Sequence, residues 1–252
     1  MPGSFQQAFD FSHKVVMVTG GASGIGFAIA TQFVAQGAKV ALIDTSDDVE
    51  RVAASFANGS AGWHGDVSDE ARTETIVAEA IARFGHIDVL INNAGVGLIE
   101  KAEAMSTALW DKTMSVNLKG PFLYSRAVGR HMLGRGAGRI VNMASQAALV
   151  GLDKHLAYSA SKAALLGMTR VLAGEWGPHG ITVNAISPTV VETELGRRAW
   201  AGEVGAQFKR KIPSGRFAQP DEIAYAALYL ASDAAGMING ENLVIDGGYT
   251  SQ

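Results

Sequence analysis

The stretch Thr19-Gly20-Gly21-Ala22-Ser23-Gly24-Ile25-Gly26 lies between an apolar run and an amphipathic run, and four of its eight residues are glycine. A dinucleotide-binding fingerprint spaces its glycines as G-x-G-x-x-G. Here the spacing runs Gly20, Gly24, Gly26. The position suits a phosphate loop, because the stretch follows a strand-like run and opens a helical one. Glycine admits positive φ and lets a pyrophosphate approach the backbone. The helix N-terminus then offers unpaired N–H groups and a favourable dipole. A tight turn with no ligand has the same composition, so the glycines alone leave both readings open.

Outward from this turn, short β-branched runs alternate with helical patterns. The runs begin at Lys14 (KVVMVTG), Ala38 (AKVALID), Ala61 (AGWHGDV), Ile87 (IDVLINN), Gly138 (GRIVNMA), Ile181 (ITVNAIS) and Asn242 (NLVIDGG). Several are apolar on both faces, as strands covered by helices on each side must be. Amphipathic segments such as FAIATQFVAQ and DEIAYAALYLA separate them. This alternation predicts an α/β fold: one Rossmann-type domain with a seven-stranded parallel sheet, helices on both faces and right-handed crossovers. Residues 1–13 read as an N-terminal arm and residues 14–252 as the domain. The least regular stretch, Glu192 to Phe217, follows the sixth strand. Ligands of open α/β sheets bind beyond the carboxyl ends of strands, so this stretch is a candidate lid.

Composition narrows the function. The chain has 252 residues, 48% of them hydrophobic, and a formal net charge of -3 with no basic block. That argues against a nucleic-acid partner. The absence of cysteine excludes disulfides, thiolate metal ligands and a thiol nucleophile, and the six histidines include no H-x-x-x-H pair, so no metal is expected. No apolar run reaches the ~18 residues of a membrane span, and the N-terminus lacks the pattern of a signal peptide. A soluble, cytoplasmic protein with no membrane partner is expected.

Two constellations carry chemistry. Asp44 ends the second strand 20 residues after Gly24, where an acid can accept hydrogen bonds from adenosine ribose hydroxyls. Asp66 ends the third strand, where it could meet the adenine. The second constellation is Tyr158-Ser-Ala-Ser-Lys162. Spacing of four puts Tyr158 and Lys162 on one helical face. A free tyrosine has a pKa of about 10, and a nearby ammonium lowers it. Ser145 ends the fifth strand, where its hydroxyl could orient a carbonyl. Asn117, within Met114–Gly120, lies in a helical segment, where a buried amide marks a polar network or a held water.

Together these motifs resemble the short-chain dehydrogenase/reductase family over essentially the whole chain. Its T-G-x-x-x-G-x-G turn is matched by Thr19, Gly20, Gly24 and Gly26, its N-N-A-G by Asn92 to Gly95, and its catalytic set by Asn117, Ser145, Tyr158 and Lys162. The resemblance implies that the glycine turn is a phosphate cradle. It implies Tyr158 as general acid/base. Lys162 would hold the nicotinamide ribose and lower the tyrosine pKa, Ser145 would orient the substrate oxygen, and Asn117 would hold a water on a proton path. Ser23, Ile25, Val67, Asn93, Ala94, Gly95, Pro188, Val191 and Thr193 would complete the cofactor site with Gly20, Gly24, Gly26, Asp44 and Asp66. The nicotinamide carries the hydride.

One departure is informative. Thr189 stands where many members have glycine, and Pro188-Thr-Val-Val-Glu-Thr193 resembles the sugar-alcohol branch that includes L-xylulose reductase. In that branch the positions of Gln146, His155 and Trp200 line the substrate pocket. The alternative is that Gln146 and His155 cap a loop and Trp200 is core. The expectation is an NAD-dependent dehydrogenase that interconverts a polyol and its ketose. A 3-oxoacyl-thioester (acyl carrier protein) reductase is the enzymatic alternative, and a dinucleotide sensor or scaffold the non-enzymatic one. A homotetramer is also expected. Mean hydropathy is +0.13, and the segment AALLGMTRVLAGEW from Ala163 carries apolar residues around much of its circumference.

Asp44 would repel a 2′-phosphate, and the next residue is Thr45 rather than Arg or Lys. NAD should therefore exceed NADP in kcat/KM, and a measured preference for NADP would refute this.

Overall fold

The computed structural model describes residues 5–252. Its elements, in chain order, are α1 (Phe5–Ala8), β1 (Val15–Thr19), α2 (Gly24–Ala35), β2 (Lys39–Asp44), α3 (Val49–Ala54), β3 (Ala61–His64), α4 (Glu70–Phe84), β4 (Val89–Asn92), α5 (Thr107–Met114), α6 (Gly120–Arg135), β5 (Gly138–Met143), α7 (Leu156–Trp176), β6 (Ile181–Pro188), α8 (Glu194–Ala199), α9 (Gly202–Lys209), α10 (Pro220–Ala231) and β7 (Asn242–Ile245). All seven strands fall on the seven apolar runs. They form one parallel sheet in the order β3-β2-β1-β4-β5-β6-β7. The winding reverses between β1 and β4, which places the ligand crevice at their carboxyl ends.

The central strands are apolar on both sides because both sides are covered. β1, β4 and β6 are buried along their whole length. On one face α2, α3 and α10 pack around Val16, Val18, Leu42 and Ile91. On the other, α4, α6 and α7 pack around Met17, Ile43, Leu90 and Ile140. Helix ends follow local chemistry. Asp69 caps α4 by accepting from the Arg72 amide at 3.0 Å, and Gly85 ends it with φ of 85°. No helix among the described residues is long and apolar enough to cross a membrane.

The stretch expected to be least regular, Glu192 to Phe217, contains two short helices, α8 and α9. Residues 1–4 of the expected arm lie outside the described residues. Further along it, Phe11 is buried and meets the Phe33 ring edge-on at 4.9 Å, so that part of the segment is core.

At the amino ends of β1 and β4, Asp88 is a clamp. Its carboxylate accepts from the Val15 amide at 2.8 Å and pairs with Arg135 at 3.0 Å and His86 at 3.1 Å. Asp88→Ala leaves that amide and guanidinium without their partner. It should lower stability by roughly 2–3 kcal/mol, read as a fall in Tm by calorimetry; an unchanged Tm would show that the clamp contributes nothing.

Candidate active site

The glycine turn is held from both sides. Gly20 and Gly21 donate to the Ile43 carbonyl at 2.7 and 3.2 Å. Asn93 Nδ2 donates to the carbonyls of Thr19 and Gly20, each at 3.0 Å. In return Thr19 Oγ1 accepts from the amides of Asn93 and Ala94 at 3.0 and 3.1 Å. Gly20 and Gly24 have φ of +64° and +55°, which L side chains resist. Gly26 is required for a different reason: a Cβ there would stand 2.0 Å from the Gly20 carbonyl oxygen.

These bonds frame a cleft of about 640 Å³. It is lined by Gly20, Ser23, Gly24 and Ile25 from the turn, by Asp44 at the end of β2, by Asp66 and Val67 beyond β3, by Asn93, Ala94 and Gly95 beyond β4, and by Thr193 at the start of α8. Of the cofactor residues expected from sequence, Gly26, Pro188, Val191, Tyr158 and Lys162 do not line it. Gly26 packs beneath the turn, Pro188 ends β6, and Val191 is buried in the core. Thr45, Gly65, Val96, Lys112 and Arg198 line the cleft and were not anticipated. Lys112 is there because it pairs with Asp66 at 3.1 Å across 46 residues of sequence, a contact with no local signal.

The acids differ in environment. Asp44 accepts from the amides of Ala22 and Ser46, both at 3.0 Å. Burial pushes Asp66 up, but the Ser68 amide and hydroxyl together with Lys112 hold it below the usual carboxylate range.

Asn117 lies in a π-helical turn, Ser115–Lys119, between α5 and α6. Its Oδ1 accepts from the Val96 amide at 2.8 Å. Its Nδ2 donates to the Val96 carbonyl at 2.9 Å and to Ser161 Oγ at 3.2 Å. Both amide hydrogens are thus committed to the protein, and Asn117 braces the segment after β4. Gly95 permits the approach, since a Cβ there would sit 3.3 Å from Asn117 Oδ1 and 3.5 Å from Lys162 Nζ.

Tyr158 and Lys162 share a face of α7 as the spacing predicts, with Nζ 5.8 Å from the phenol ring centre. The expected lowering of the tyrosine pKa by the lysine is not found. Lys162 is buried and donates to the Met143 carbonyl at 2.6 Å. Burial, countered only by a hydrogen bond with Ser145, pushes the Tyr158 phenol above its ordinary value. Burial also lowers Lys162 to about 8.

Ser145 lies two residues beyond β5, not at its end as expected, and accepts from the Ala147 amide at 3.1 Å. Gln146 beside it is 2% exposed, and its Oε1 has no hydrogen-bond partner among the described atoms. His155 stands edge-on to Tyr158, ring centres 5.9 Å apart, and lines a second cleft of about 750 Å³ under the loop from Ala147 to Lys154. Trp200 does not line either cleft. It packs on Phe208 and Phe217, ring centres 4.7 and 6.1 Å away. Leu152, in the wall of the second cleft, joins the same cluster. Trp200 is half-buried, and its packing against two phenyl rings is the contact that the core alternative calls for. Among the described residues no group of three or more His, Cys, Asp or Glu is placed to hold a metal ion.

Residues 20–250 match the family model described as enoyl-(acyl carrier protein) reductase. The chain is 53% identical to the NAD-dependent glycerol dehydrogenase of Listeria innocua serovar 6a over 98% of its own length and 97% of that protein's. It is 52% identical to the D-threitol dehydrogenase of Mycolicibacterium smegmatis, covering 96% and 95% of the two chains. Among solved structures, levodione reductase superposes with a TM-score of 0.92 at 34% identity, over 96% of this chain and 99% of that one. A protein assigned as an NAD(P)-dependent gluconate 5-dehydrogenase from Beutenbergia cavernae, with bound NADP, superposes with a TM-score of 0.91 at 37% identity over 97% and 100%. The chain belongs to the short-chain dehydrogenase/reductase family. It is an oxidoreductase.

Lys162 yields a test of the buried pair. The folded chain releases its proton near 8 and the unfolded chain near 10.5. Between those values the unfolded chain binds more protons, so this group's contribution to stability rises with pH through that window. Below it the full cost of burying the ammonium is present. Lys162→Met should therefore stabilise more at pH 7 than at pH 10, by on the order of 2 kcal/mol. Denaturant unfolding at the two pH values measures this, and an equal effect at both would refute it.

Proposed function

We propose that this protein is an NAD-dependent polyol dehydrogenase that interconverts a secondary hydroxyl and a ketone. Gln146 carries the substrate reading. A buried amide oxygen with no partner, next to the hydroxyl that faces Tyr158, is an acceptor that a second substrate hydroxyl would satisfy. The relatives named for glycerol and D-threitol support the same class, and they support it over an acyl-thioester reductase or a sensor. His155, beside the phenol ring, supplies a further polar contact.

The cleft fits a dinucleotide. Gly20, Gly24, Gly65 and Gly95 expose backbone along it, and a Cβ at Gly24 would meet only Thr193, at 3.4 Å. The amides at the start of α2 would hold the pyrophosphate. Asp44 would hold the adenosine ribose, Asp66 and Val67 the adenine, Asn93 to Gly95 the middle, and Thr193 the nicotinamide end. Asp44, followed by Thr45, favours NAD. When bound, the nicotinamide supplies the hydride acceptor.

The chain's own residues do the rest. Ser145 orients the reacting oxygen. Tyr158 donates or accepts the proton at that oxygen. Its raised pKa keeps it a neutral acid at pH 7, suited to ketone reduction, so alcohol oxidation should accelerate as pH rises. Lys162 binds the nicotinamide ribose with the donor hydrogens that its bond to the Met143 carbonyl leaves free. Asn117 holds the proton-path water at the Oδ1 lone pair that the Val96 amide leaves free. Phe122, Leu156 and Val171 are 45%, 48% and 58% exposed on α6 and α7, which supports burial of that face in a homotetramer.

A panel of erythritol, threitol, xylitol, arabitol, sorbitol, 2-butanol and an acetoacetyl thioester tests the assignment. At least one polyol should lead in kcat/KM, and a lead by 2-butanol or the thioester would overturn it. Tyr158→Phe should keep cofactor binding, lose about 10²–10⁴-fold in turnover and flatten the alkaline rise in oxidation rate.

A further inference from the structure

The charges in the first cleft are already spent on one another. Three carboxylates line it, Asp44, Asp66 and Glu194, against two cations, Lys112 and Arg198. Lys112 is held by Asp66, which is itself fixed by the Ser68 amide and hydroxyl at 2.9 and 2.7 Å. Arg198 is paired with Glu194 one turn earlier on α8. The glycine turn has no Lys or Arg between Thr19 and Gly26. A pyrophosphate there would meet N–H donors but no unpaired cation, in a cleft whose charged side chains sum to net negative.

The two ion pairs are not equally firm. The Arg198 side chain is 77% exposed and that of Glu194 is 73% exposed, and exposed pairs contribute little. Their helix starts against the phosphate loop: Thr193 Cγ2 lies 3.4 Å from the Cβ position of Gly24, while Thr193 Oγ1 accepts from the Gly196 amide at 3.0 Å and caps α8. The lid therefore brings one loosely held guanidinium to the cleft beside the loop that lacks a cation. A guanidinium binds a phosphate oxygen pair in a two-pronged, charge-assisted contact.

We propose that Arg198 is a pyrophosphate-binding residue carried by the lid, and that Glu194 competes with the dinucleotide for it. Loading exchanges the Glu194–Arg198 pair for an Arg198–pyrophosphate contact. This rests on the reading of the first cleft as the dinucleotide site. It differs from a simple role for the pair, stapling a short helix, in the sign of one substitution. A staple is broken equally from either end. A competitor, once removed, frees the ligand-binding group.

Equilibrium titration of the purified protein, by NADH fluorescence and by calorimetry with ADP-ribose, separates the two. Arg198→Gln should raise the Kd of both ligands about 5-fold, the loss expected for one exposed charge-assisted contact. Glu194→Gln should lower both about 2- to 3-fold, and the double variant should match Arg198→Gln. Adenosine, which has no phosphate, should compete equally well against all variants. Equal weakening by both single substitutions, or an Arg198→Gln Kd equal to wild type, would overturn the proposal while leaving the dinucleotide site intact. Failure of the wild-type chain to bind NADH would instead remove the dinucleotide reading and the proposal with it.

Discussion

The hydrogen bonds that Thr19 and Asn93 exchange are the constraint on which the site depends. They join the ends of β1 and β4 where the sheet reverses its winding, 74 residues apart in sequence. Gly20 and Gly26 make that joint possible. A Cβ on Gly20 would stand 2.9 Å from Ala94 Cα, and one on Gly26 would meet Gly20 and Asn93 at once. The glycine turn and the segment opposite it are therefore one unit, and the cleft between them is set by two short side chains bonded to main chain and by glycines that let the backbones close.

A second brace runs beneath the cleft. Asn117 ties α5 and α6 to Val96 and, through Ser161, to α7. Lys162 ties α7 to the end of β5 through the Met143 carbonyl. The helix that bears Tyr158 is thus fixed to the two strands whose ends form the rest of the site. Fixing it this way buries both the lysine and the phenol, and burial raises the phenol pKa and lowers that of the lysine.

The two halves of the site are built differently. The cleft beyond β1, β2 and β4 is lined largely by glycine and main chain, which suits a ligand of constant shape. The region around Ser145, Gln146 and His155 is defined by side chains on a loop and the first turn of α7, with the aromatic cluster of Trp200, Phe208 and Phe217 behind Leu152.

The sequence by itself determined the seven strands, the glycine turn after β1 and the Tyr158–Lys162 face. These rest on short-range rules: apolar period, glycine stereochemistry at Gly20 and Gly24, and the helical repeat from Tyr158 to Lys162. Only the tertiary structure decided that Lys162 donates to Met143, that burial raises Tyr158, that Lys112 meets Asp66, that Gln146 keeps an unpartnered oxygen, and that Trp200 packs on Phe208 and Phe217. Each of those depends on burial or on a partner brought in from a distant element. Desolvation and packing are properties of the assembled surroundings, and no local stretch of sequence encodes them.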